Sequence, residues 1–102
     1  MAAQPVPARV DARVTGVVHG VGFRYFVLRE AQALGLVGWV ANQPDGSVQC
    51  VAEGPRDSLA VLLERLREGP PASIVDNVSA AWMPATGAFA KFGVRSGAHR
   101  GD

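Results

Sequence analysis

The sequence predicts an α+β sandwich in the order strand, helix, strand, strand, helix, strand, with two helices on one face of an antiparallel sheet and a short fifth strand near the end. Three observations predict it. Apolar and polar residues alternate in period two from Arg9 to Thr15. Two later segments, opening at Phe23 and at Gly54-Pro55, shift to the spacing of amphipathic helices. Between them, Asp45-Gly46 separates two strand-like runs with the turn chemistry of a hairpin. At 102 residues, 48% hydrophobic and 19% charged, the chain suits one domain with one core and not a disordered segment.

The elements follow in order. Residues 1–7 hold two prolines without periodicity and form a loose lead-in to a domain over residues 8–95. In the first strand Val10, Ala12 and Val14 share one face, and Arg9, Asp11, Arg13 and Thr15 the other. The first helix carries Phe23, Phe26, Val27, Ala31 and Leu34 in its stripe, with Gly35 where a C-terminal cap belongs. Leu36 to Asn42 and Ser47 to Glu53 are the hairpin strands, with Val48, Cys50 and Ala52 on one face of the second. Trp39 and Phe23 are expected as core anchors, with walling of the site as the other role open to either. The second helix opens at Gly54-Pro55, presents Leu59, Leu62, Leu63 and Leu66, and stops at Gly69-Pro70-Pro71. Val75 to Met83 is the fourth strand, and Phe89 to Arg95 contains the fifth. Residues 96–102 are polar and glycine-rich, which predicts a flexible C-terminal tail.

Composition excludes several classes. Ten Lys+Arg against nine Asp+Glu leave +1, far from the basic stripe that nucleic acid requires. Lys91 is the sole lysine, an arginine bias that reads as the base composition of a GC-rich bacterial genome. Cys50 is the only cysteine, so no intramolecular disulfide is possible, and its place on a buried strand face makes it an inert thiol. One cysteine with His19 and His99 gives no zinc spacing. No apolar run approaches the ~20 residues of a membrane span. The N-terminus lacks a signal peptide's order of charged then apolar residues. A reduced, cytoplasmic, monomeric protein is expected.

The chemistry concentrates between the first strand and the first helix. Gly16-Val17-Val18-His19-Gly20-Val21-Gly22 leads into Phe23-Arg24, and its glycines let backbone N–H groups turn inward. Such amides, with the free N–H groups of a helix N-terminus, bind anions. Arg24 in the helix's first turn opposes the helix dipole, a placement that an anion would offset. A plain glycine turn with a solvent-facing arginine remains the other reading of this pattern. The loop is neither a Walker loop, having no Gly-Lys-Ser/Thr, nor a dinucleotide fingerprint, having no third glycine after Gly20-Val21-Gly22.

This segment resembles the signature loop of the acylphosphatase family, as does Leu34-Gly35-Leu36-Val37-Gly38-Trp39-Val40-Ala41-Asn42-Gln43-Pro44-Asp45-Gly46-Ser47-Val48, which matches that family's Gly-Trp-Val-x-Asn followed by Asp-Gly. The resemblance spans residues 8–95 and implies a ferredoxin-like βαββαβ fold. It implies metal-free, cofactor-free hydrolysis of the carboxyl–phosphate anhydride of acyl phosphates. Arg24 matches the catalytic arginine that clamps the phosphoryl oxygens, and Asn42 the asparagine that orients the attacking water. Backbone amides of His19, Gly20, Val21, Gly22 and Phe23 would complete the phosphate cradle. The expected partners are a small acyl phosphate and inorganic phosphate, the latter as product and competitive inhibitor, with no nucleic acid and no membrane.

His19 departs from the family, where glutamine is usual. Either its backbone N–H alone meets the phosphate, or its imidazole takes part. Other functions compatible with the fold are a non-catalytic module holding a phosphorylated ligand, and a relative of the domain that acts on carbamoyl phosphate in hydrogenase maturation proteins. An RNA-binding module of the same element order is disfavoured, because Ser47 to Glu53 contains no aromatic residue.

Overall fold

A computed structural model describes residues 6–96. The elements are β1 (Pro7–Val17), α1 (Phe23–Ala33), β2 (Val37–Asn42), β3 (Val48–Pro55), α2 (Arg56–Glu68), β4 (Ile74–Pro84) and β5 (Phe92–Arg95). They build one sheet of order β4-β1-β3-β2-β5, and both helices pack against it over one shared core. The ferredoxin-like α+β fold expected from the sequence is the fold observed.

Register explains which face is covered. Val10 pairs with Ala52, Ala12 with Cys50 and Val14 with Val48, so the apolar positions of β1 and β3 point the same way. All six are fully buried. Phe23, Val27 and Ala31 of α1 and Leu59, Leu62, Leu63 and Leu66 of α2 close over them. Cys50 lies within this layer, where burial pushes its thiol up to about 12, so it stays protonated and unreactive at neutral pH.

Five expectations need correction. The sheet is mixed, because β5 runs parallel to β2 while the other pairs are antiparallel. After β4 the chain lies at the far edge from β2 and must pass along the end of the sheet. It therefore enters β5 in the direction of β2. Phe89, included in the predicted fifth strand, precedes β5 and packs its ring 5.1 Å from the Arg9 guanidinium. Trp39 is not a core anchor. Val40 pairs with Cys50 and takes the helix-facing side, which turns Trp39 to the other face, with Arg95 4.8 Å from its ring. Pro7, assigned to the lead-in, is the first residue of β1 and pairs with Pro55, which caps α2 and is not within it. The lead-in residues 1–5 and tail residues 97–102 lie outside the described residues. Among the described residues no helix is long and apolar enough to cross a membrane.

Where β1 begins and β3 ends, Arg9 and Glu53 face each other on the sheet side away from the helices. Glu53 is nonetheless buried, because the β4–β5 link folds over it. Thr86 donates its N–H (3.0 Å) and hydroxyl (2.7 Å) to Glu53 Oε2, and Gly87 its N–H to Oε1 (3.0 Å). Arg9 Nε lies 2.8 Å from Oε2, but its N–H is not aimed at that oxygen, so the contact is electrostatic rather than a formed hydrogen bond. Burial alone would raise the Glu53 carboxyl. The hydrogen bonds from Thr86 and Gly87, with the Arg9 charge, outweigh it and hold the group below its ordinary range.

Candidate active site

The opposite end of the sheet, where β1 and β2 finish, is built differently. Val18, 1% exposed, anchors the start of the connection to α1, and Phe23, 2% exposed, anchors its end. Between them Gly20 and Gly22 adopt left-handed backbone angles, φ +70° and +78°. A Cβ at either position would meet nothing within 4 Å. These glycines are therefore required by backbone angle, not by space. Gly22 is the N-cap of α1 and supplies no side-chain acceptor, and the first turn has no acidic residue. Among the described residues, the N–H groups of His19 to Gly22, and of Phe23, Arg24 and Tyr25 in the first turn, donate to no protein acceptor. A run of unpaired donors at the positive end of a helix is the local result.

Arg24 is half-buried and, among the described residues, makes neither an ion pair nor a side-chain hydrogen bond. Asn42 closes β2, its backbone held in register with Val48, and its side-chain amide is likewise unengaged among the described residues. A hollow of about 180 Å³ is lined by Val18, Gly20, Gly22, Phe23, Arg24, Tyr25 and Asn42. Of the seven residues the sequence singled out, five line this hollow: Gly20, Gly22, Phe23, Arg24 and Asn42. His19 and Val21 belong to the same loop but not to its lining.

The His19 imidazole is engaged elsewhere. Its Nε2 donates to the Ser47 carbonyl at 2.8 Å, which ties the glycine loop to the β2–β3 hairpin. Ser47 is buried, and its carbonyl also accepts from Gln43 N–H at 2.8 Å. Asp45 Oδ1 accepts from the Ser47 hydroxyl (2.6 Å) and N–H (2.9 Å), and Arg13 donates to Ser47 Oγ (3.2 Å). The Ser47 hydroxyl, then its N–H, hold the Asp45 carboxyl below its ordinary range. Turn chemistry at Asp45-Gly46 thus fixes the hairpin that presents Asn42. Two lining residues were missed. Val18 is hidden among valines of similar character, and Tyr25 follows Arg24 as an aromatic in an exposed first turn.

Among the described residues, no three His, Cys, Asp or Glu side chains gather as metal ligands. The donors that converge here are one guanidinium, one carboxamide and backbone N–H groups, a set suited to an oxyanion with several oxygens.

A ferredoxin-like sheet with an open, donor-lined hollow between its first strand and first helix defines a small α+β sandwich domain. The acylphosphatase family model matches residues 10–94. An acylphosphatase from Salinibacter ruber is 51% identical over 87 residues, which is 85% of this chain and 92% of the relative. The crystal structure of an acylphosphatase from Bacillus subtilis superposes with a TM-score of 0.84 at 38% identity, covering 86% of this chain and 98% of that one. Full-length HypF, in a phosphate- and nucleotide-bound form, also superposes with a TM-score of 0.84, but at 24% identity and over 13% of its length. That last likeness is one of fold alone. The chain belongs to the acylphosphatase family, a family of enzymes.

Proposed function

We propose that this site hydrolyses the carboxyl–phosphate anhydride of small acyl phosphates, using Arg24 and the 19–23 amides to hold the phosphoryl group and Asn42 to orient water. The observation that carries the reading is the convergence of Arg24, the glycine loop and Asn42 on one hollow. Phosphoryl transfer needs positioning and charge stabilisation more than a strong nucleophile, because charge spreads over the equatorial oxygens and attacking and leaving oxygens stand in line. A carboxylate is a good leaving group, which lowers the demand further. Arg24 can offer two parallel N–H bonds to two phosphoryl oxygens, and the fixed amides serve the rest without reorganising.

Asn42 does not titrate, so it acts by proximity. Its carboxamide oxygen accepts from the water and aims the lone pair at phosphorus. The water oxygen bonds to phosphorus as the bond from phosphorus to the carboxyl oxygen breaks. The carboxylate leaves with that electron pair, and the water proton passes to a phosphoryl oxygen. Carboxylate and inorganic phosphate are the products, and phosphate competes for the same cradle. The protein works as a monomer in the cytoplasm in this reading.

The test is hydrolysis of benzoyl phosphate by wild type and Arg24→Ala, with and without EDTA. EDTA-insensitive turnover that disappears in the variant is the expected result. A folded wild type that binds inorganic phosphate but turns nothing over would make the domain a ligand-holding module instead.

A further inference from the structure

The hollow is small for an aromatic acyl phosphate. About 180 Å³ lies below the roughly 300–1,000 Å³ of sites that enclose a drug-sized ligand. With a phosphoryl head in the hollow, as the acylphosphatase reading has it, a bulky acyl group projects across the rim. Of the side chains around it, Val18 and Phe23 are sealed in the core, and Gly20 and Gly22 present backbone only. In-line displacement keeps the leaving carboxyl away from the water that Asn42 orients. The one large exposed side chain left in the lining is Tyr25, 57% exposed, whose hydroxyl makes no hydrogen bond among the described residues.

On the acylphosphatase reading above, we infer that Tyr25 is a specificity-determining residue whose ring receives the acyl group, so that the site favours aromatic and flat apolar acyl phosphates over small ones. A free aromatic face beside a polar cradle is an asymmetric receptor. Its ring packs against apolar or aromatic surface, and offset or edge-on ring pairs gain beyond simple burial. An acetyl group offers one methyl to that ring, a benzoyl group a second ring. The glycine side of the rim gives the acyl group nothing comparable to rest on.

The experiment compares kcat/KM for benzoyl phosphate and acetyl phosphate in wild type, Tyr25→Ala and Tyr25→Phe, with inorganic phosphate inhibition measured in each. Tyr25→Ala is expected to lower the benzoyl-to-acetyl ratio by about twofold to twelvefold, the range set by ring–ring contact energies. Tyr25→Phe keeps the ring and should keep the ratio. An unchanged ratio in Tyr25→Ala, while wild type remains active, overturns the inference and leaves the acylphosphatase reading standing. Equal losses on both substrates, with weakened phosphate inhibition, would mean that Tyr25 merely supports the cradle, and would also overturn it. A folded wild type that hydrolyses neither substrate overturns the parent reading and the inference together.

Discussion

At the end of the sheet where β1 and β2 finish, an arginine and a run of amides surround an open hollow. At the other end an arginine, two amides and a hydroxyl surround Glu53. The donors are of the same kinds, and the difference lies in whether an acceptor within the fold meets them. The Glu53 end carries its own carboxylate, so its donors are used within the fold and hold a loop in place. Donors at the Arg24 end have no such partner among the described residues, and their interaction energy is free for a ligand. A fold that hosts an anion site must leave part of itself unpaired there.

The largest expected effect tests the open end. Arg24→Ala should lower kcat/KM by at least ~10²–10³, the loss seen when a principal oxyanion donor is removed. The same change should leave stability unchanged or slightly raised, because a cation in the first turn opposes the helix dipole. Activity assays beside urea unfolding would show both. A large stability loss would mean that Arg24 is structural, and the contrast between the two ends would fail.

Glu53 should behave in the opposite way. Glu53→Ala leaves two amides and a hydroxyl without their acceptor, and Arg9 without its counter-charge. The expected cost is about 2–3 kcal/mol of unfolding free energy, with kcat/KM of the remaining folded protein near wild type. The effect depends on pH in a defined sense. Glu53 in the folded chain releases its proton more readily than its ordinary value of 4.5 implies. Its stabilisation is therefore complete above 4.5 and is lost as pH falls through the lower folded value. Unfolding curves of wild type and Glu53→Gln should diverge most at neutral pH and approach each other in acid. A constant gap would mean that shape and not charge holds the loop.

This pair of ends was not equally legible. The Arg24 end is local: the glycines, the arginine and the helix start lie within nine residues, and the hairpin is announced by Asp45-Gly46. The local pattern left a plain glycine turn open as the other reading, and the family resemblance was needed both to assign the loop and Arg24 to an anion and to join Asn42 to them. The Glu53 end joins residues 33 and 34 positions apart, and nothing near Glu53 in the chain marks it. Alternation puts Glu53 on the face away from the helices, where a carboxylate would ordinarily be solvated, and the covering loop is invisible to that pattern. Trp39 illustrates the same limit. Period two separates two faces of β2 but does not say which one the helices cover. Register decides that, and it gave the core to Val40. The direction of β5 was similarly out of reach, since four residues of strand pattern carry no sign of parallel pairing.

Asn42 lies between the extremes, with its backbone paired in the sheet and a place in the lining of the hollow. Asn42→Ala should lower kcat by about tenfold to a hundredfold, as expected when a reacting group is merely mispositioned. Inhibition by inorganic phosphate should persist, because the cradle and Arg24 are untouched. If phosphate inhibition vanished while turnover stayed normal, Asn42 would belong with the phosphate donors and some other group would orient the water.

The smallest effect belongs to His19, where the open end borrows a feature of the closed one. Its Nε2–H is spent on the Ser47 carbonyl, so this one donor of the glycine loop is satisfied within the protein. The bond joins two segments that must be held at a fixed separation, one bearing the amides and the other presenting Asn42. A hydrogen bond of this kind contributes about 0.5–1.5 kcal/mol, so His19→Ala should cost about twofold to tenfold in kcat/KM. A glutamine side chain also ends in an N–H donor, so His19→Gln should recover most of that loss. Recovery would assign His19 to the architecture of the site. Equal deep losses in both variants would instead mean that the imidazole itself contacts the substrate, and the hydrogen bond to Ser47 would then describe only the unliganded loop.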